Sequence, residues 1–207
     1  MAVVSGGTTL INNGALDSGV PAGSLILIKS ITVSGSASVS FVNGASGVVL
    51  DDTYDTYVFK FISIHPSVDG VTFSFQGSTN TGSAYGVTTT NAYFNSYHSE
   101  GGAAALNYES ASDIAQGTGE ISLIRENKLS ADADHSGNGI LTLYNPSSTT
   151  FVKHYISRTQ ANHEAEYSMD SYIGGYFNTT SAIDAIRFSV NSGNIAEGII
   201  KLYGIKG

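Results

Sequence analysis

The segment Asp132-Ala133-Asp134-His135-Ser136-Gly137-Asn138 sets oxygen donors at alternating positions near a glycine, which is how a calcium-binding loop begins. Asp132, Asp134 and Asn138 are its candidate ligands. The pattern then stops, because the twelfth position is Leu143 where a bidentate Glu would stand, and no helix signal flanks it. Asp, Ser, Gly and Asn are also the commonest turn residues. A polar loop is therefore the first reading, calcium is the one ion the segment suggests, and no cofactor is expected. The histidines at 65, 98, 135, 154 and 163 form neither His-x-His nor His-Glu-x-x-His. His163-Glu164-Ala165-Glu166 gathers ligand-capable groups but reads as a solvated loop. Asp51 with Asp52, or Glu164 with Glu166, supply paired carboxylates of the kind that cleave glycosidic bonds, yet they read first as surface charge. No nucleophile elbow, phosphate-binding loop or dinucleotide glycine loop is present. The expectation is a protein that is not an enzyme.

Tyrosine says more. The chain has 12 Tyr, 9 Phe and no Trp. Phe59, Phe61, Phe73, Phe75, Phe151 and Phe188 fall at alternating strand positions and read as core. Tyr85, Tyr93, Tyr97, Tyr108, Tyr167, Tyr172 and Tyr176 stand among Gly, Ser and Asn. Tyrosine in such surroundings is the chemistry of contact surfaces, since it offers rigid area and a hydroxyl at low entropic cost. A partner subunit is the first reading of these tyrosines and a sugar ring the second.

The elements that position them are strands. Of 207 residues only 13% are charged, about half the usual share, while Ser, Thr and Gly make up 71, counted over the sequence. These residues disfavour helix interiors. Strand patterns recur at 25–33, 38–42, 56–64, 71–76, 91–98, 106–110, 139–144, 151–157, 166–173, 185–190 and 198–203, with 120–129 open to strand or short helix. At 56–64 the alternation places Tyr57, Phe59 and Phe61 on one face. The turn signals at 65–70 and at 191–194 read as hairpin connections, and Asn145-Pro146-Ser147 and Gly174-Gly175 as turns that separate strands. The fold expected is all-β: a single antiparallel β-sandwich of jelly-roll type over 25–207, preceded by an extended N-terminal arm over 1–24.

Net charge is −8 and the nine basic residues are scattered, which argues against nucleic acid. There is no Cys, so disulfides and thiolate metal sites are excluded. The first residues lack the cationic start and apolar run of a secretory signal, and no apolar run is long enough for membrane insertion. A soluble protein made in a cytoplasm is expected.

Several segments taken in order resemble proteins of tailed bacteriophages, above all marine and cyanobacterial phages. They are Tyr54-Asp55-Thr56-Tyr57-Val58-Phe59 and Ile64-His65-Pro66-Ser67-Val68-Asp69-Gly70-Val71, then Gly139-x-Leu141-x-Leu143-Tyr144-Asn145-Pro146. Gly175-Tyr176-Phe177-Asn178 and Ser192-Gly193-Asn194-Ile195-x-x-Gly198-x-Ile200-x-Leu202-Tyr203-Gly204-Ile205 complete the set. The resemblance implies a virion structural protein, localised to the particle after synthesis in the host cytoplasm. The leading expectation is a capsid decoration (cement) protein, a homotrimer bridging major capsid protein subunits. The alternative is a tail-fibre or tail-tip protein adhering to a host surface glycan; a glycan-acting enzyme ranks third.

Overall fold

The computed structural model describes residues 2–5, 8–12, 15–16, 25–124 and 128–205, and the in–out alternation of a half-buried strand is clearest over 153–163. The described residues contain no α-helix, only a single 3-10 turn at Ser110–Ser112. Strands β1 (Ala2–Ser5), β2 (Thr8–Asn12) and β3 (Ala15–Leu16) pair antiparallel with one another. They occupy the segment expected as an extended arm, whose other residues lie outside those described.

The remaining strands are β4 (Ile26–Ser36), β5 (Ser38–Val42), β6 (Thr56–Pro66), β7 (Phe73–Ser78), β8 (Thr89–Ser99), β9 (Ala104–Tyr108) and β10 (Ile114–Gly117). They continue with β11 (Ile121–Ser122), β12 (Gly137–Tyr144), β13 (Lys153–His163), β14 (Tyr167–Phe177), β15 (Ala185–Val190) and β16 (Ile195–Ile205). The 120–129 segment is thus strand only at β11, and its residues 125–127 are not described. A nine-stranded sheet runs β10-β8-β14-β13-β12-β6-β16-β4, with β9 also pairing β8. A four-stranded sheet runs β11-β7-β15-β5. The two form an all-β sandwich of antiparallel sheets, nine strands against four.

Rings from the two inner faces interlock across the interface. Phe59 and Phe61 of β6 meet Phe188 of β15 at 5.1 Å each, Phe61 meets Phe73 of β7 at 5.3 Å, and Phe75 of β7 meets Tyr155 of β13 at 5.1 Å. All of these are edge-to-face contacts, the geometry the ring quadrupole favours. Phe151, read as core, is instead 68% exposed, because β13 begins only at Lys153 and the ring precedes it on a turn.

Three turn readings change. Ser67 to Gly70 does not close a hairpin: β6 belongs to the large sheet and β7 to the small one, so the turn is a corner between layers. Phe61 and Phe73 meet across the space between the two sheets, not side by side within one. The 191–194 turn is a second such corner, between β15 and β16. Gly174 and Gly175 lie inside β14 rather than between strands. Here Gly175 is needed for room: a Cβ would stand 2.6 Å from the Tyr155 hydroxyl and 2.7 Å from the Thr90 carbonyl oxygen, while nothing lies within 4 Å of a Cβ at Gly174. Gly175→Ala is accordingly expected to cost about 1–3 kcal/mol and Gly174→Ala to stay within about 0.5 kcal/mol of wild type. Urea unfolding of the pair checks this; equal midpoints would refute the packing argument.

Candidate functional site

The outer face of the nine-stranded sheet is built by register. Tyr108 of β9 stands opposite Phe94 of β8, Phe94 opposite Tyr172 of β14, Tyr172 opposite Arg158 of β13, and Arg158 opposite Ile140 of β12. The row goes on through Lys60 of β6 to Lys201 of β16. These are the odd-one-out positions of strands whose other face fills the core: in β13, Tyr155, Ser157 and Thr159 are buried while Ile156, Arg158 and Gln160 are exposed. On this face Tyr108 is 67%, Ile156 56% and Phe94 43% exposed. Leu106, Ile140 and Tyr144 are also exposed on it.

Contacts along the row fix its shape before anything binds. Phe94 and Tyr172 stack with centroids 4.8 Å apart and planes 4° from parallel. The Arg158 guanidinium lies 5.1 Å from the Tyr172 ring centre and donates to both oxygens of Asp170, through Nε at 3.1 Å and Nη2 at 2.6 Å. The Tyr172 hydroxyl donates to Asp170 Oδ2 at 2.8 Å. The Arg158 hydrogen bond, with a smaller share from Tyr172, holds the Asp170 carboxyl below its ordinary range. The Asp170 carboxylate in turn raises the Tyr172 hydroxyl. Tyr108 donates to Asp113, whose carboxylate raises the Tyr108 hydroxyl. Rigid aromatic area beside a satisfied polar pair is the composition of a contact surface.

The tyrosines singled out in the sequence divide. Tyr108, Tyr172 and Tyr176 lie on this face, Tyr176 with His154 at 5.9 Å. Tyr85 packs over Arg187 at 4.5 Å, on the outer side of the small sheet. Tyr97 and Tyr167 stack at 5.1 Å and are half-buried at one end of the inner face of β8 and β14. Tyr93 is a correction: it is fully buried and its hydroxyl donates to Ser171 Oγ at 2.6 Å, so it presents no surface. It falls on the inward phase of β8, one residue out of step with Phe94. Phe94, Arg158 and Ile156 were not singled out. Their only signal is alternation, with buried Tyr93 on β8 and with buried Tyr155 on β13, and the strand pattern expected over 151–157 stops short of Arg158.

The Asp132 loop also rearranges. Asn138 does not join the two aspartates: its Oδ1 accepts from the Ser63 amide at 2.8 Å and its amide donates to Ser136. His135 lies between carboxylates instead, its Nδ1 3.7 Å from Asp132 Oδ2 and its Nε2 3.9 Å from Asp134 Oδ1 and 3.6 Å from Glu166 Oε2. Glu166 comes from the β13–β14 turn, a distant part of the sequence. Glu164 meets Lys128 at 3.6 Å, so it and Glu166 serve different neighbours. Asp51 caps a turn by accepting from the Thr53 amide at 2.9 Å, and hydrogen bonds from the Thr53 side chain first and its amide second hold the carboxyl below its ordinary range.

No protein-family model, curated protein or solved structure matches the chain. No helix among the described residues is long and apolar enough to cross a membrane.

Proposed function

We propose that this chain is a non-enzymatic structural subunit of a bacteriophage virion. In this reading it is a decoration protein that packs as a homotrimer against major capsid protein through the outer face of its nine-stranded sheet. The observation that carries the reading is the row Tyr108–Phe94–Tyr172, exposed at Tyr108 and Phe94 and half-buried at Tyr172, with exposed Ile140 and Ile156 beside it. Contiguous apolar surface of this kind is uncommon on a lone soluble domain and marks a contact site. The low charge of the chain agrees, since charges buried in an interface cost energy unless paired, and the sequence resemblance supplies the particle. Each subunit would add buried area between shell proteins and so oppose the outward pressure of packaged DNA.

The test is to mix the tagged full chain with phage particles, image the label, and repeat with Phe94→Asp/Ile156→Asp. Both side chains are exposed, so the variant keeps the fold. Label over the whole head, lost by about tenfold or more in the variant, is expected. Undiminished binding of the variant would overturn the reading.

A second reading rests on the Phe94–Tyr172 stack beside Arg158 and Asp170. An aromatic platform flanked by a fixed polar pair suits the apolar face and hydroxyls of a sugar, as a tail-fibre or tail-tip adhesin would need. Label confined to the tail, with glycan binding that Tyr172→Ala abolishes, would favour it.

A further inference from the structure

We propose that Asp132, His135 and Glu166 form a binding site for a divalent transition metal of the zinc class, which His135 would ligate through Nδ1. One ligand atom from each of the three lies within 4.8 Å of the others. Exposed carboxylates alone would signify little. The decisive group is His135, which is 8% exposed and whose Nδ1 is buried with no hydrogen-bond partner. A buried ring nitrogen without a partner costs free energy that an ion would recover. Both ring nitrogens face carboxylates, at 3.6 to 3.9 Å. Those separations are too long for hydrogen bonds. The one from Nδ1 to Asp132 approaches the ~3.4 Å between donors that tetrahedral zinc requires with bonds of ~2.0–2.1 Å.

The position of His135 is fixed from the backbone outward. Its amide donates to the Asp132 carbonyl at 2.8 Å, its carbonyl lies 2.9 Å from His65 Nδ1, and the Ala131 amide donates to Asp69 at 2.9 Å. Glu166 is held by its own amide, which donates to the His163 carbonyl at 3.0 Å. The loop before β12 and the turn between β13 and β14 thus hold the donors ready, and an ion would clip the two together. Only one ring nitrogen of a histidine binds an ion. With the ion on Nδ1, Nε2 keeps its proton and turns it toward Asp134, whose carboxylate orients the ring.

The donor chemistry selects the ion. A calcium site wants six to eight oxygens. Here an imidazole is central and Asn138 is engaged with Ser63, which leaves few oxygens and suits zinc.

The experiment titrates the EDTA-stripped full chain with zinc chloride and, separately, with calcium chloride by calorimetry, and follows thermal unfolding with each. Zinc is expected to bind one equivalent at least about tenfold more tightly than calcium and to raise the unfolding temperature. Glu166→Gln and His135→Gln should each weaken zinc about 10–100-fold, while Glu164→Gln, two residues from Glu166, should not. Glu166 is exposed, so its variant keeps the fold and decides the matter even if the His135 variant unfolds. Absence of zinc binding, calcium binding of equal strength, or full zinc affinity in Glu166→Gln would each overturn the proposal.

Discussion

Phe188→Ala is expected to destabilise the fold by about 3–5 kcal/mol, the largest effect of any single truncation in the interior. Phe188 is fully buried and lies at the centre of the sandwich. Its ring is 5.1 Å from Phe59 and Phe61, 6.1 Å from Phe41 and Phe73, and 6.5 Å from Phe75. Removing it takes an edge or a face from five other rings at once. The void cannot close, because β15 is hydrogen-bonded to β7 on one side and β5 on the other, and the large sheet is held at its distance by the remaining rings. Phe188→Leu, which retains most of the volume, should cost less, under about 2 kcal/mol. Phe151→Ala, at an exposed ring, should stay within about 0.5 kcal/mol. Urea midpoints at constant slope give all three. A Phe188→Ala chain within about 1 kcal/mol of wild type would mean that the two sheets do not share this cluster.

The strands themselves were legible because alternation is local. Ser38–Val42 and Ala185–Val190 fall where their patterns put them, and Tyr57, Phe59 and Phe61 are buried on the face their spacing assigns. What local pattern does not carry is which sheet a strand joins. Pro66 and the Asp69-Gly70 pair make a tight turn whether the chain returns along the same sheet or drops to the next layer. The choice is made by packing, and Phe61 against Phe73 makes it here. For the same reason the exposed row was only half visible. Tyr172 and Tyr108 stand out by type, but Phe94 and Arg158 become part of one surface only through the register of β9, β8, β14 and β13. Tyr93, adjacent to Phe94, shows how one step of phase turns a contact residue into core. The metal cluster was least legible. Asp132 and His135 are neighbours in sequence, but Glu166 reaches them from beyond two intervening strands, β12 and β13, and no spacing rule spans that distance.

Stability should fall steeply between pH 10 and 12, and two buried tyrosines give the sign. Burial pushes the Tyr57 hydroxyl up to about 12, from an ordinary value of 10.0. Burial also raises that of Tyr155, whose hydroxyl bonds Thr89 Oγ1 at 2.6 Å inside the core. Above pH 10 the unfolded chain sheds these two protons while the folded chain keeps them. The unfolded state then binds fewer protons, so the free energy of unfolding decreases as pH rises, by up to about 1.4 kcal/mol per pH unit for each hydroxyl. Their contribution is fully present below pH 10. Lys153 works in the opposite direction. Its ammonium is desolvated, which lowers its value from 10.5, and it donates to the Phe151 and Thr179 carbonyls. Below 10.5 the unfolded chain holds this proton more readily, so stability gains as pH climbs toward 10.5 and nothing more beyond it. The net decline should therefore steepen once Lys153 has ceased to offset the tyrosines. Tyr57→Phe separates the contributions. It loses the contacts of the hydroxyl with the Asp51 amide and carbonyl, each at 3.0 Å, and so should be less stable at neutral pH. It should also show a shallower alkaline limb, because one of the hydroxyls that burial raises is gone. Urea unfolding at steps from about pH 9 to about pH 12 reads both quantities. A wild-type curve that stays flat to 12, or a Tyr57→Phe limb as steep as wild type, would refute the assignment of these protons to the sandwich interior.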